Sequence, residues 1–318
     1  HKIHEYLKEL NENSFGKYED IITVGEMSST SIENCIKYSN EKEKELSMTF
    51  NFHHLKVDYK DGDKWSDMDF DFMKLKELFN SWQTEMDNGG GWNALFWCNH
   101  DQPRIVSRFG NDKEFHRESA TMLATAIHMM KGTPYIYQGE EIGMTNAYFE
   151  SIDEYRDVES LNYYEILTKD NPKNKVLGVL QKKSRDNSRT PMQWDNSENA
   201  GFSVGTPWLG VCKKYKDINA EKALEDKNSV FYHYKNLVAL RKEYEIIQNG
   251  SFEIVDMANE SLYVYRRKYK NQELLVICNF YGKEITCDID LEGYTLLNSN
   301  YSLTDKNIRP YEARVYIR

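Results

Sequence analysis

The sequence predicts an α/β fold whose larger, first part is built from parallel βα units and whose last part is a small antiparallel β-sandwich. Three observations predict it. Up to about residue 145, short apolar runs alternate with longer stretches of helical spacing, and such alternation builds parallel sheets. Each apolar run ends in polar residues: Glu26, then His53 and His54, then Asn99, His100 and Asp101, then Gln138, Glu140 and Glu141. Beyond Gly250 the spacing changes to the strand alternation of an antiparallel sandwich.

The elements follow in order. Ile3, Tyr6, Leu7 and Leu10 mark a helix at the start of the chain, which begins without a Met, so an earlier segment is expected ahead of His1. Residues 21–24 read as a buried strand running into Gly25, Glu26 and Met27. Ser and Thr residues cap a helix over 31–38. Residues 48–52 are the second strand, and Phe72, Leu75, Leu78 and Phe79 space a helix over 72–86. A triple glycine, Gly89 to Gly91, precedes a third strand over 94–97. A helix over 118–130 is broken by Gly132-Thr133-Pro134, with a fourth strand over 135–137. Residues 146–228 read as polar and irregular, too long for a plain connection, hence an active-site excursion. A helix over 229–244 follows, then strands over 262–267, 274–280, 285–289 and 313–317. The expected domains are 1–248 and 249–318. Polar strand ends are where a (β/α)₈ barrel keeps its chemistry, but a doubly wound sheet places its site there too, so the pattern leaves both open.

Composition narrows the function classes. The chain has 318 residues, 40% hydrophobic and 29% charged, enough for a sizeable core. A net charge of −10 argues against nucleic acid or an anionic membrane surface as partner, since both need a basic face. Five scattered cysteines with no CxxC pair predict free thiols in a cytoplasmic protein, with neither disulfides nor a metal site. No cofactor is expected. The 22 Tyr and 6 Trp suit a sugar ligand, although an aromatic core explains them equally well.

Glycoside hydrolysis needs a protonated carboxyl group and a neighbouring carboxylate to offset oxocarbenium charge. Glu26 and Asp101 are candidates. The stretches Thr23-Val24-Gly25-Glu26-Met27 and Phe96-Trp97-Cys98-Asn99-His100-Asp101-Gln102-Pro103-Arg104 resemble two signature regions of glycoside hydrolase family 13, the α-amylase family. Gly132 to Met144 and Ser184 to Trp194 are similar to its oligo-1,6-glucosidase-like branch. The resemblance covers essentially the whole chain. It implies four of the eight βα units of a (β/α)₈ barrel, followed by the sandwich.

It further implies that Glu26 is the general acid/base, Asp101 the transition-state stabiliser, and His100 a ligand of the sugar hydroxyls. Arg104, Arg185 and Arg189 are expected either to contact substrate or to brace active-site loops through ion pairs. Glu26 to Thr30 and Ser47 to Tyr59 resemble the trehalose-6-phosphate hydrolases within the branch, which implies a phosphorylated sugar substrate. Lys56 and Lys64, on the loop after the second strand, are then candidate phosphate binders; the competing reading has them balancing Asp58, Asp61 and Asp63. The family's nucleophilic Asp belongs to a strand ahead of this chain's first helix, and Asp69 and Asp71 do not match it. The resemblance therefore implies a partner, the N-terminal half-barrel. Two alternatives stand beside this reading: an α-glucosidase for unphosphorylated oligosaccharides, and a non-catalytic sugar-binding or interaction fragment.

Overall fold

In the computed structural model, which describes residues 2–302 and 306–318, the strands Val24–Met27 (β1), Met48–Asn51 (β2), Asn93–Leu95 (β3) and Thr133–Pro134 (β4) form one parallel sheet in the order β1-β2-β3-β4. Helices connect them: Ile32–Ser39 (α2) and Phe72–Gly89 (α3), then Ile105–Arg108 (α4) and His116–His128 (α5), with Lys2–Asn13 (α1) ahead of the sheet. Local chemistry explains the helix ends. The Ser31 hydroxyl accepts from the Asn34 amide to start α2, and the Asp71 carboxylate accepts from Lys74 to start α3. Gly90, left-handed at φ 74°, ends α3.

Two strand readings need correction. Pairing begins at Val24, and Ile21 and Ile22 are exposed, not buried. The fourth strand is Thr133–Pro134, inside the segment read as a breaker. Proline is tolerated there because the bond to β3 is made by the next residue, Tyr135, whose N–H donates to the Leu95 carbonyl at 2.7 Å.

The excursion over 146–228 is more regular than its polarity suggests. It contains Val158–Leu167 (α6), Lys173–Lys183 (α7), Asp186–Arg189 (α8) and Ala220–Glu225 (α9). The apolar side chains of α7, Val176, Val179 and Leu180, pack with Trp65, Ala147, Phe149, Tyr155 and Leu209 in a satellite core. With Leu177, four apolar residues in eleven fall within one run of five, too short to stand out by period, yet they suffice once other loops supply the opposite wall.

Val230–Glu243 (α10) and Glu245–Asn249 (α11) lead into the last region. Its strands are Ser251–Ile254 (β5), Leu262–Tyr269 (β6), Gln272–Asn279 (β7), Ile285–Thr286 (β8), Thr295–Ser299 (β9), Asn307–Ile308 (β10) and Ala313–Ile317 (β11). Five make an antiparallel sheet, β5-β6-β7-β11-β9, and β8 pairs with β10 as a separate ribbon. Along β7 every residue from Leu274 to Asn279 is buried. Leu274, Val276 and Cys278 join the core shared with α3, α5 and α10, while Leu275 and Ile277 join the cluster that includes Ile285 and Ile308 of the ribbon. Period two thus sends alternate residues into two different cores. Lys76 of α3 ties the two parts together, donating to the carbonyls of Asp256 and Asn259 at 2.7 Å each.

Candidate active site

The C-terminal ends of the parallel strands gather the expected chemistry. Glu26 is the third residue of β1 and is exposed. Asp101 lies six residues beyond β3, in a turn pinned by its own N–H donating to Asn99 Oδ1 at 2.8 Å. One strand separates β1 from β3, so two strand spacings, about 10 Å, separate their axes. His100 is more than half exposed, and its Nε2 lies 3.4 Å from Asp101 Oδ2.

Asp101 is the first member of a run of alternating charges. Arg189 donates from Nη2 to Asp101 Oδ1 at 2.7 Å and from Nε to the His100 carbonyl at 2.9 Å. Arg185 Nη1 approaches the same Asp101 oxygen at 3.5 Å. Behind both guanidinium groups is Asp157, whose side chain is only 3% exposed. It accepts from Arg185 Nε and Nη2 at 2.8 Å each and from Arg189 Nη1 at 3.5 Å. Arg185 also pairs with Glu159 at 3.1 Å, and Glu159 pairs with Lys64 at 2.7 Å. Burial alone pushes the Asp157 carboxyl up, but the two arginines outweigh it and hold it below the usual range. Asp157 stands at the N-terminal boundary of α6, with its carboxylate turned to the arginines and making no capping bond, and Glu159 lies in the first turn, so the excursion supplies the carboxylates and arginines that border Asp101.

The expected cations divide into three groups. Arg185 and Arg189 reach Asp101. Lys56 donates from Nζ to the Ser28 carbonyl at 2.7 Å and to the Ser29 hydroxyl at 3.1 Å, just beyond Glu26. Lys64 is already neutralised by Glu159 and lies 4.9 Å from the centre of the Trp65 ring. Neither lysine balances Asp58, contrary to the competing reading. Asp58 is buried between Arg108, at 2.7 Å, and Lys183, at 2.6 Å.

Arg104 is a correction. It is 1% exposed, and its guanidinium donates to the carbonyls of Gln138, Asn187 and Ser188. Those bonds tie the loop after β4 to α8, so the side chain is sealed away from the surface and braces loops through backbone oxygens, with no ion pair among the described residues. Glu140, a strand-end carboxylate, also turns inward. Tyr234 donates to its Oε1 at 2.8 Å, and burial pushes its carboxyl up to about 7. A cavity of about 980 Å³, lined by Thr23, Ser47 and Trp92 among others, lies at the opposite, N-terminal ends of the strands. Its size carries no functional weight here, because none of the expected site residues lines it.

Sequence reasoning missed Asp157, Glu159, Lys183 and Arg108. Their partners lie far along the chain, 95 residues apart for Lys64 and Glu159, and no local spacing signals such a pair.

Comparison with known proteins gives a consistent picture. The family described as "Alpha amylase, catalytic domain" matches residues 1–250. Trehalose-6-phosphate hydrolase of Bacillus subtilis is 53% identical over 326 aligned positions, covering 99% of this chain and 58% of the relative. Oligo-1,6-glucosidase of Halalkalibacterium halodurans is 47% identical with the same coverage. The crystal structure of Bacillus licheniformis trehalose-6-phosphate hydrolase superposes with a TM-score of 0.95 at 55% identity, covering 99% of this chain and 59% of that one. The chain therefore spans less than two thirds of the length of these relatives. Its parallel sheet is part of a (β/α)₈ barrel, and its end is a C-terminal β region. The chain belongs to the α-amylase family.

Proposed function

We propose that the protein carrying this chain is a retaining α-glucosidase that hydrolyses trehalose 6-phosphate to glucose and glucose 6-phosphate. The observation that carries the reading is the presence of Glu26 and Asp101 at one end of the parallel sheet, with two arginines converging on Asp101. In this reading the Glu26 carboxyl gives its proton to the glycosidic oxygen as the bond to the anomeric carbon breaks. As a carboxylate it then takes a proton from the water that releases the glucosyl group. Asp101 offsets the oxocarbenium charge, and His100, Arg185 and Arg189 border the sugar.

The attacking carboxylate comes from outside this chain, in the N-terminal half-barrel. Asp71 is committed to capping α3, which supports that assignment. Residues 1–248 are the catalytic half-barrel and 249–318 the β domain. Lys56 and Lys64 receive the phosphate. A cytoplasmic location belongs to the same reading, supported by five buried free cysteines. Among the described residues no helix is long and apolar enough to cross a membrane.

A second reading, an oligo-1,6-glucosidase acting on unphosphorylated sugars, is favoured by the ion pair that already neutralises Lys64. Hydrolysis of trehalose 6-phosphate and isomaltose by the full-length protein separates the two. A kcat/KM at least tenfold higher on trehalose 6-phosphate is expected; the reverse preference overturns the first reading in favour of the second.

A further inference from the structure

We propose that Asp157 is a positioning residue for Asp101, acting through Arg185 and Arg189. The inference rests on the functional reading above and extends it to a residue that does not touch the sugar. Both guanidinium groups sit between two carboxylates: Asp101, partly exposed at the strand ends, and Asp157, almost wholly buried. Arg189 is held at three points, by Asp101, the His100 carbonyl and Asp157. Arg185 donates twice to Asp157, at 2.8 Å each, and makes a looser 3.5 Å approach to Asp101. A planar guanidinium anchored from behind by a bidentate carboxylate presents its remaining N–H groups in a fixed direction.

Asp157 is itself fixed by the backbone: its N–H donates to Asp186 Oδ1 at 3.1 Å, and Asp186 belongs to α8 with Arg189. The anchor and what it anchors are thus one rigid unit. Asp157 also withholds charge. Without it, two cations would face Asp101 alone, close on it, and neutralise the negative charge that the transition state needs.

The test uses the full-length enzyme with Asp157→Asn, and Asp157→Asn combined with Arg185→Gln. The double variant keeps the charge count and guards against failure of the single variant to fold. The rates are taken per folded molecule. Both variants are expected to lower kcat by about 100-fold with KM changed less than about threefold, because misplacement of a catalytic group by about 1 Å costs that much. In the single variant the acid limb of the kcat/KM profile is expected to shift to lower pH. If both variants retain wild-type kcat, or if the single variant folds and its acid limb does not move, Asp157 is structural and the proposal fails. Asp101→Asn is measured alongside; if it keeps wild-type turnover, the functional reading itself is what has failed.

Discussion

Asp101 and Arg104 stand three residues apart in one motif, yet one faces the strand ends and the other is sealed among carbonyl groups. At this scale, roles follow from what each side chain touches. Glu26→Gln in the full-length enzyme is expected to lose about 10²–10⁴-fold in turnover, since an amide has no proton to give the leaving oxygen. An aryl glucoside with a good leaving group should lose less in single-turnover glycosylation; equal losses would remove Glu26 from the acid role. Lys56→Ala with Lys64→Ala should raise KM for trehalose 6-phosphate about ten- to a hundredfold, the worth of a charge-assisted contact of about 1.5–3 kcal/mol. An aryl glucoside should be nearly unaffected, and equal behaviour on both substrates would make the lysines bystanders. The placement of Glu26, His100 and Asp101 at the strand ends was legible because their motifs are contiguous in the chain. Asp157 was not, because its partners Arg185 and Arg189 lie 28 and 32 residues away in a segment without period.

At the scale of elements, helices with a clear apolar stripe were legible to within a few residues, as α3 and α10 are. Shorter strands were not: β5, β9 and β10 went unread, and β4 was placed two residues too late. Edge pairing depends on what lies beside a strand, which a local pattern does not contain. The loop after β2, α4 and the end of α7 meet in one buried charge cluster. Burial pushes the Asp58 carboxyl up, but Arg108 and Lys183 outweigh it and hold it below the usual range. Asp58→Asn leaves two cations without their carboxylate and should cost about 3–5 kcal/mol in a denaturant melt. A loss under about 1 kcal/mol would mean that these loops are held by packing instead.

For the whole molecule, buried titratable groups set how stability varies with pH. Burial holds His54 and His128 down to about 4 and His233 down to about 3; Arg108, Arg241, and Arg117 with His128, add to the effect at the three sites respectively. Burial pushes Glu140 the other way, up to about 7. Between the ordinary values of 4.5 and 6.5, the unfolded chain takes up protons on three histidines that the folded chain refuses. The folded chain keeps one on Glu140 that the unfolded chain releases. For these four groups the balance is two protons in favour of unfolding, so together they make stability rise with pH across this window by about 2.7 kcal/mol per unit at most. Melting temperature should climb from pH 5 to 6.5, and a flat profile would show that these groups stay accessible to water. The fold class was legible at this scale because strand–helix alternation is a long-range rhythm. The chain alone is expected to hydrolyse nothing: β1 and β4 each pair on one side, and Ile3, Tyr6 and Leu10 of α1 are exposed. Soluble, active 318-residue protein would overturn that expectation.

The alternation Asp101, Arg189, Asp157, Arg185, Glu159, Lys64 gives every cation in the run a carboxylate already in place. Under the proposed function, an anionic sugar arriving at Lys64 would not meet an empty counter-charge; it would have to displace Glu159, as one ion displaces another on an exchange resin. Affinity for the anion is then the difference between two ion pairs and not the strength of one, and selectivity belongs as much to the carboxylate that leaves as to the lysine that receives.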